Sequence, residues 1–264
     1  MPDAQTAPCE CGRGEKRGYR VGDKVLWTKC RECVAEARAA EEEAERREAE
    51  RAARARQEAR TEKAGEIMER LGVTRKYRNV TLGSFDATHD PHALQTAHEV
   101  TAAFLRGERP SLYLFSERPG EKIAPGCGKT HLAVGVLSTL ALNPDIPLSD
   151  LAFVFVPRLL LEIQATFKHP ERSELEVVEK YAKPELLVWD DFGAEKLSDY
   201  AARTLYTLLY EREGRSNVFT GNLSLADIEA RDPSGYTQRI TSRIAGEARI
   251  LRMTGPDHRF PQAA

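Results

Sequence analysis

Ala124-Pro-Gly-Cys-Gly-Lys-Thr-His-Leu-Ala133 decides how the rest of the chain is read. Gly126, Gly128, Lys129 and Thr130 stand in the spacing of a nucleotide-phosphate cradle. Glycines let a tight loop turn its backbone N–H groups toward phosphate oxygens, because they tolerate positive φ and carry no Cβ. The helix that follows adds the positive end of its dipole. Lys129 then reaches the β- and γ-phosphates of ATP as a flexible point charge, and the Thr130 hydroxyl ligates a bridging magnesium ion. The predicted nucleotide contacts are Gly126, Cys127, Gly128, Lys129, Thr130 and His131. Context supports the motif: an apolar run, Leu112 to Phe115, precedes it, and Leu132, Ala133, Val136, Leu137 and Leu140 follow at helical spacing. Strand, glycine loop and helix is the setting such a cradle needs. Two features depart from it. Ile123 occupies the place of the first glycine in G-x-x-x-x-G-K-[ST], and polar residues 117–122 separate the strand from the loop. Both bear on the rate of hydrolysis more than on nucleotide binding.

The whole chain sets outer bounds. Its 264 residues give room for one α/β domain and a smaller appendage. A formal charge of −2 excludes a global basic field, so any nucleic-acid contact must come from local patches. No apolar run approaches the roughly 20 residues that cross a bilayer, and no signal-peptide core is visible. The expectation is a cytoplasmic protein with no membrane association. Five cysteines do not make a disulfide scaffold in a chain of this length, and four of them fall within the first 33 residues.

Those four form two close pairs. Cys9-x-Cys11 is separated by eighteen residues from Cys30-x-x-Cys33, a pattern that predicts a four-thiolate structural zinc site in a module of residues 1–33. Zinc would substitute for a core that so short a segment cannot build. The C-x-C spacing of the first pair leaves reduced thiols, or a redox pair at Cys30 and Cys33, as the alternative. Residues 34–70 are Ala, Glu and Arg with almost no apolar residue before Ile67, which predicts a charged, solvated helical linker without a heptad seam. It serves either as a spacer or as a docking surface. The ATP-binding domain is placed at 71–264. His89-Asp-Pro-His92 reads as a turn rather than a metal pair, and residues 93–106 as a helix ended by Pro110.

After the cradle, Ala152 to Val156 reads as a buried strand, and Pro157 suits the first turn of a helix carrying Leu159, Leu160, Ile163 and Phe167. A charged helix spans about Glu171 to Ala182, and Lys168, His169, Arg172, Lys180 and Lys183 around it form a solvated face or the edge of a DNA path. Glu185 to Trp189 is a strand that runs into Asp190-Asp191. An acidic pair there completes an ATPase site. Asp190 holds magnesium through water, while Asp191 orients or deprotonates the attacking water. Ser198 to Gly214 predicts a capped helix, and Asn217 to Thr220 a strand with Asn222 at its end, where an amide can read the γ-phosphate. Tyr236 to Ala245 puts Arg239 and Arg243 one helical turn apart and Ile240 and Ile244 on another face. That pair is either an arginine finger for a neighbouring subunit or two surface arginines. Ala248 to Met253 predicts a fifth strand.

The residues together resemble the DnaC/DnaI-type helicase loaders and their relative, the transposition helper IstB, within the AAA+ ATPases. The likeness covers about Leu71 to Arg259 and rests on four runs: Pro125 to Ala133, Leu186 to Gly193, Thr220 to Ser224 and Arg239 to Ile244. It implies an α/β, AAA+ P-loop fold with a five-stranded parallel sheet, Asn222 as sensor 1 and Arg243 as the arginine finger. It also implies that the helices at 157–183 face single-stranded DNA, and that the cysteine-rich module grips a replicative hexameric helicase. IstB-like proteins generally lack such a module, so the loader is the first expectation. Cofactors expected are ATP, Mg2+ and structural Zn2+; partners are the helicase, single-stranded DNA and further copies of the chain assembled by ATP. The alternatives are a transposition helper ATPase and a nucleotide-gated adaptor with little hydrolysis.

Overall fold

The computed structural model describes residues 5–88, 90–116, 126–168, 173–232 and 235–254. The chain divides into two units, Met1–Glu58 and Ala59–Ala264. In the first, β1 (Gln5–Pro8), β2 (Glu15–Val21) and β3 (Lys24–Trp27) form an antiparallel sheet in the order β1-β2-β3. Gln5 pairs with Gly18, and Gly18 with Trp27. These strands are not evident from the sequence, because each is short and mostly exposed. Cys9 and Cys11 lie in the β1–β2 turn, closed by Cys9 N–H to Gly14 O at 2.9 Å.

Helix α1 (Arg31–Glu62) is the predicted charged helix, supported by pairs four residues apart such as Arg38–Glu42 at 3.1 Å and Arg54–Glu58 at 3.0 Å. Each such pair contributes only about 0.3–0.5 kcal/mol. The stretch read as one helix is broken at Lys63, and α2 (Ala64–Arg70) buries Ile67 and Met68. Next comes α3 (Pro91–Leu105), whose first turn incorporates Pro91 and His92, read above as a turn. The Asp90 carboxylate caps it by accepting from Ala93 N–H at 3.0 Å. Its end is set by Gly107 at φ 86, not by Pro110. Gly107 N–H bonds Phe104 O at 2.9 Å and Glu108 N–H bonds Ala103 O at 3.1 Å, a Schellman closure that needs a left-handed residue.

The rest alternates strand and helix: β4 (Ser111–Ser116), α4 (Lys129–Leu142), β5 (Leu151–Phe155), α5 (Val156–Lys168), α6 (Glu174–Ala182) and β6 (Leu186–Phe192). It closes with α7 (Asp199–Glu211), β7 (Ser216–Gly221), α8 (Leu225–Arg231), α9 (Gly235–Glu247) and β8 (Ala248–Met253). Val156, expected in a strand, is the first residue of α5. The five later strands form one parallel sheet in the order β5-β6-β7-β4-β8, as the fold reading expected. Successive side chains of a strand point to opposite faces. Leu112, Leu114, Leu186 and Val188 therefore join one core with α3 and α4, while Tyr113, Leu187, Trp189 and Phe219 join another with α5, α7 and α9. Burial on both faces explains why these strands read as continuous apolar runs. Helix α4 is buried nearly all round, which fixes the loop at its start. Among the described residues, no helix is long and apolar enough to cross a membrane.

Candidate nucleotide site and cysteine cluster

The cradle sits where β4 gives way to α4. Gly128 caps α4 at φ 93, and a Cβ there would lie 2.6 Å from Phe85 Cε2, so both conformation and space require glycine. Lys129 is 7% exposed, and its Nζ donates to Ser116 Oγ at 2.6 Å and lies 3.7 Å from Cys127 Sγ. Cys127 itself is buried. Ile123, residues 117–122, Ala124 and Pro125 lie outside the described residues, as do His89, His169, Arg172 and Arg259 and the side chain of Lys168.

The acidic pair is placed by an irregularity in the sheet. The pairing of β6 with β7 shifts register between Trp189 and Phe192, and Asp191 takes φ 58, the one positive φ outside glycine among the described residues. A bulge of this kind turns a side chain off the regular strand direction. Asp190 Oδ1 accepts from Thr130 Oγ1 and from Thr220 Oγ1, each at 2.7 Å, and Thr220 Oγ1 in turn accepts from Asp191 N–H at 3.1 Å. Burial pushes the Asp190 carboxyl above the usual carboxylate range. The two threonine hydroxyls and Lys129 oppose that rise, and the charge of Asp191 adds to it.

Gly126, Gly128, Lys129, Thr130, His131, Asp191 and Asn222 line a single cleft of about 520 Å³, a size that suits a nucleotide. Asn222 is set there by Gly221, where a Cβ would meet Tyr113 Oη at 2.6 Å and Phe192 O at 2.8 Å. The opposite wall is segment 76–86, contributing Lys76, Tyr77, Ser84, Phe85 and Asp86, a stretch whose sequence marks only the entry to the domain. Its one local signal is the Thr81-x-x-Ser84 capping box around a 3-10 turn. Ser84 gives its hydroxyl hydrogen to Thr81 O at 2.8 Å, so His131 Nε2 donates to Ser84 Oγ at 2.9 Å. His131 thereby ties this wall to the first turn of α4.

The described residues fit a magnesium nucleotide. A loop with glycine at 126 and 128 opens α4, the Lys129 ammonium stands beside it, and a hydroxyl and a carboxylate converge where a hard cation takes oxygen ligands. Arg243 does not line this cleft. Its Nη1 lies 3.5 Å from Glu213 Oε2 and 3.3 Å from Glu247 Oε1, and its guanidinium lies over the Tyr210 ring at 5.2 Å.

In the first unit the sulfurs of Cys9, Cys11, Cys30 and Cys33 all lie within 4.8 Å of one another. Cys9 and Cys33 are 3.8 Å apart and Cys11 and Cys30 are 3.4 Å apart. Four thiolates about 2.3 Å from a tetrahedral zinc would stand about 3.8 Å apart, so the cluster can hold a metal ion. The Cys11 backbone N–H draws the Cys9 thiol down to about 6, while the neighbouring thiols, Cys11 first, push Cys33 up to about 12. Charge on one sulfur thus opposes charge on the next, a conflict that a central cation removes.

Residues 122–263 match the family of IstB-like ATP binding proteins. A protein of Mycobacterium tuberculosis described as ATP-binding and in an insertion sequence is 25% identical over 208 residues, covering 76% of each chain. The crystal structure of DnaI superposes with a TM-score of 0.58 at 23% identity, over 69% of this chain and 95% of that one. That of the DnaC helicase loader gives 0.56 at 22% identity, over 69% and 100%. Domain III of Thermotoga maritima DnaA gives 0.54 at 20% identity, over 67% and 68%. These structural likenesses establish the fold, and the family match contains the cradle, both aspartates, Asn222 and Arg243. The chain therefore belongs to the IstB-like ATP-binding proteins and shares the fold of the DnaI and DnaC structures.

Proposed function

We propose that this protein is an ATPase that binds a replicative hexameric helicase and delivers it to single-stranded DNA. The observation that carries the ATPase part is the convergence of Lys129, Thr130, Asp191 and Asn222 on one cleft, with Asp190 held behind Thr130. In this reading Gly126 to His131 wrap the phosphates with backbone N–H groups, and Lys129 leaves Ser116 to meet them. Thr130, and Asp190 through water, would hold Mg2+, which would supply positive charge to offset that of the phosphates. Asp191 orients the attacking water and takes its proton, and Asn222 fixes the γ-phosphate end. The work is positioning and electrostatics, so a small displacement of these groups slows turnover without abolishing binding.

The four-cysteine unit favours a loader over a transposition helper. It is read as a zinc module, residues 1–33, that grips the helicase, followed by a charged linker and the ATPase domain. The helices at 157–183 are the proposed single-stranded DNA face, and Arg243 the finger offered to a second copy. The second reading, a transposition helper ATPase, is favoured by the relative in an insertion sequence. Mixing the protein with its host's replicative helicase, with ATP, ADP or no nucleotide, and sizing the complexes separates the two. Co-migration in at least one nucleotide state is expected. Its absence in all three, together with binding to a transposase, would favour the helper.

A further inference from the structure

A second, open concavity lies along α9, bounded by Tyr206, Glu213, Gln238, Arg239, Arg243 and Glu247. It shares no residue with the nucleotide cleft among the described residues. Its two arginines are one turn apart and are held differently. The Arg239 guanidinium lies 5.9 Å from the Tyr206 ring and 5.7 Å from the Tyr236 ring, and no carboxylate pairs with it among the described residues. Arg243 rests on Tyr210, with its side chain 19% exposed, and one nitrogen serves both Glu213 and Glu247. Those contacts, at 3.5 and 3.3 Å, are long for charge-assisted hydrogen bonds and share a single donor. A phosphate group, with more charge and three acceptor oxygens, offers a guanidinium a better fork than two separate carboxylates. Both glutamates lie where helices end: Glu247 is the last residue of α9, and Glu213 stands just past the C-cap of α7. Neither is fixed by burial.

We propose that Glu213 and Glu247 form an intramolecular clasp that retains Arg243 until a second copy of the chain presents the phosphates of a bound nucleotide. Arg239, carried on its tyrosine pair, makes the first anionic contact. This inference rests on the reading of Arg243 as an arginine finger. Glu213 and Glu247 are positioning residues: they act through Arg243 and touch no nucleotide. The clasp sets the protein concentration at which the ATPase switches on, and it leaves the affinity of an isolated chain for ATP unchanged.

The test compares wild type, the double variant Glu213→Gln/Glu247→Gln, and Glu211→Gln, which removes an exposed charge near the clasp without touching Arg243. ATPase turnover is measured against protein concentration, alongside ATP affinity and sedimentation with ATP. The double variant is expected to reach half-maximal turnover at a protein concentration about three- to tenfold lower. Its ATP affinity should stay at the wild-type value, and Glu211→Gln should behave as wild type. Adding Arg243→Ala to the double variant should return turnover to the basal level. An unchanged or raised midpoint overturns the clasp. So does wild-type turnover that is independent of protein concentration with no ATP-dependent association. Failure of the wild type to bind ATP at all would instead remove the ATPase reading itself.

Discussion

Asp191 shows how a single backbone angle shapes the site. Its left-handed φ costs about 1–3 kcal/mol for most residues but little for asparagine. Asp191→Asn should therefore keep the fold, with a melting temperature within about 3 °C of wild type, while removing the proposed base. Gly128→Ala is the opposite case. It meets both a positive φ and Phe85, so it should cost about 1–3 kcal/mol and weaken ATP binding, measured by melting and nucleotide titration. Arg212 is a residue whose role was not legible at all. It is fully buried and donates to Tyr181 O, Pro184 O, Ser216 O and Asn217 Oδ1 at 2.6–2.8 Å, tying the end of α6 to β7. Burial draws its guanidinium down to about 9, which still leaves it charged at neutral pH. Arg212→Leu should strand these acceptors and cost about 3–5 kcal/mol, seen as a drop of roughly 10 °C in melting temperature with no direct change at the cleft. Nothing in the local sequence separates this arginine from the exposed ones around it, because its partners come from other elements. Lys129, Thr130 and Asp190 were legible because phosphate chemistry dictates residue type and spacing together.

At the scale of elements, strands buried on both faces were read directly from their apolar runs, with ends displaced by up to three residues, most at β6, which runs on to Phe192. The helix end at Gly107 was assigned to Pro110 because proline is the louder breaker, although the glycine supplies the left-handed closure. The contribution of segment 76–86 is not legible in the sequence because it comes from packing on α4: a Cβ at Gly135 would lie 2.7 Å from Leu82 Cδ2. The same helix is secured at its other end by Arg60, which donates to Ala141 O at 3.2 Å, Ile146 O at 3.1 Å and Asn143 O. A cation at a helix carboxyl end both satisfies free carbonyls and complements the dipole. Arg60→Ala should destabilise α4 by about 1–3 kcal/mol, read as faster hydrogen exchange across Lys129–Leu142. The small antiparallel sheet was invisible in the sequence because its three strands bury little. We expect about one equivalent of zinc in the purified protein, and its removal by a chelator should unprotect residues 5–33 to exchange while ATP binding persists.

For the whole molecule, the sequence carried the fold class and the nucleotide chemistry further than it carried the biological task. A P-loop and an acidic pair are local patterns, whereas the partners that would distinguish a loader from a transposition helper are met at surfaces whose residues follow no fixed spacing. The cleft of Lys129, Thr130, Asp191 and Asn222, with Asp190 behind Thr130, is the proposed site of ATP binding and hydrolysis. It is tested most directly by measuring magnesium-dependent ATP binding and turnover side by side for wild type, Lys129→Ala and Asp191→Asn. Wild type should bind and hydrolyse ATP. Lys129→Ala should lose affinity by about a hundredfold or more. Asp191→Asn should bind within about threefold of wild type and turn over at least about a hundredfold more slowly. Wild-type turnover in Asp191→Asn, or undiminished ATP binding in Lys129→Ala, would contradict the account.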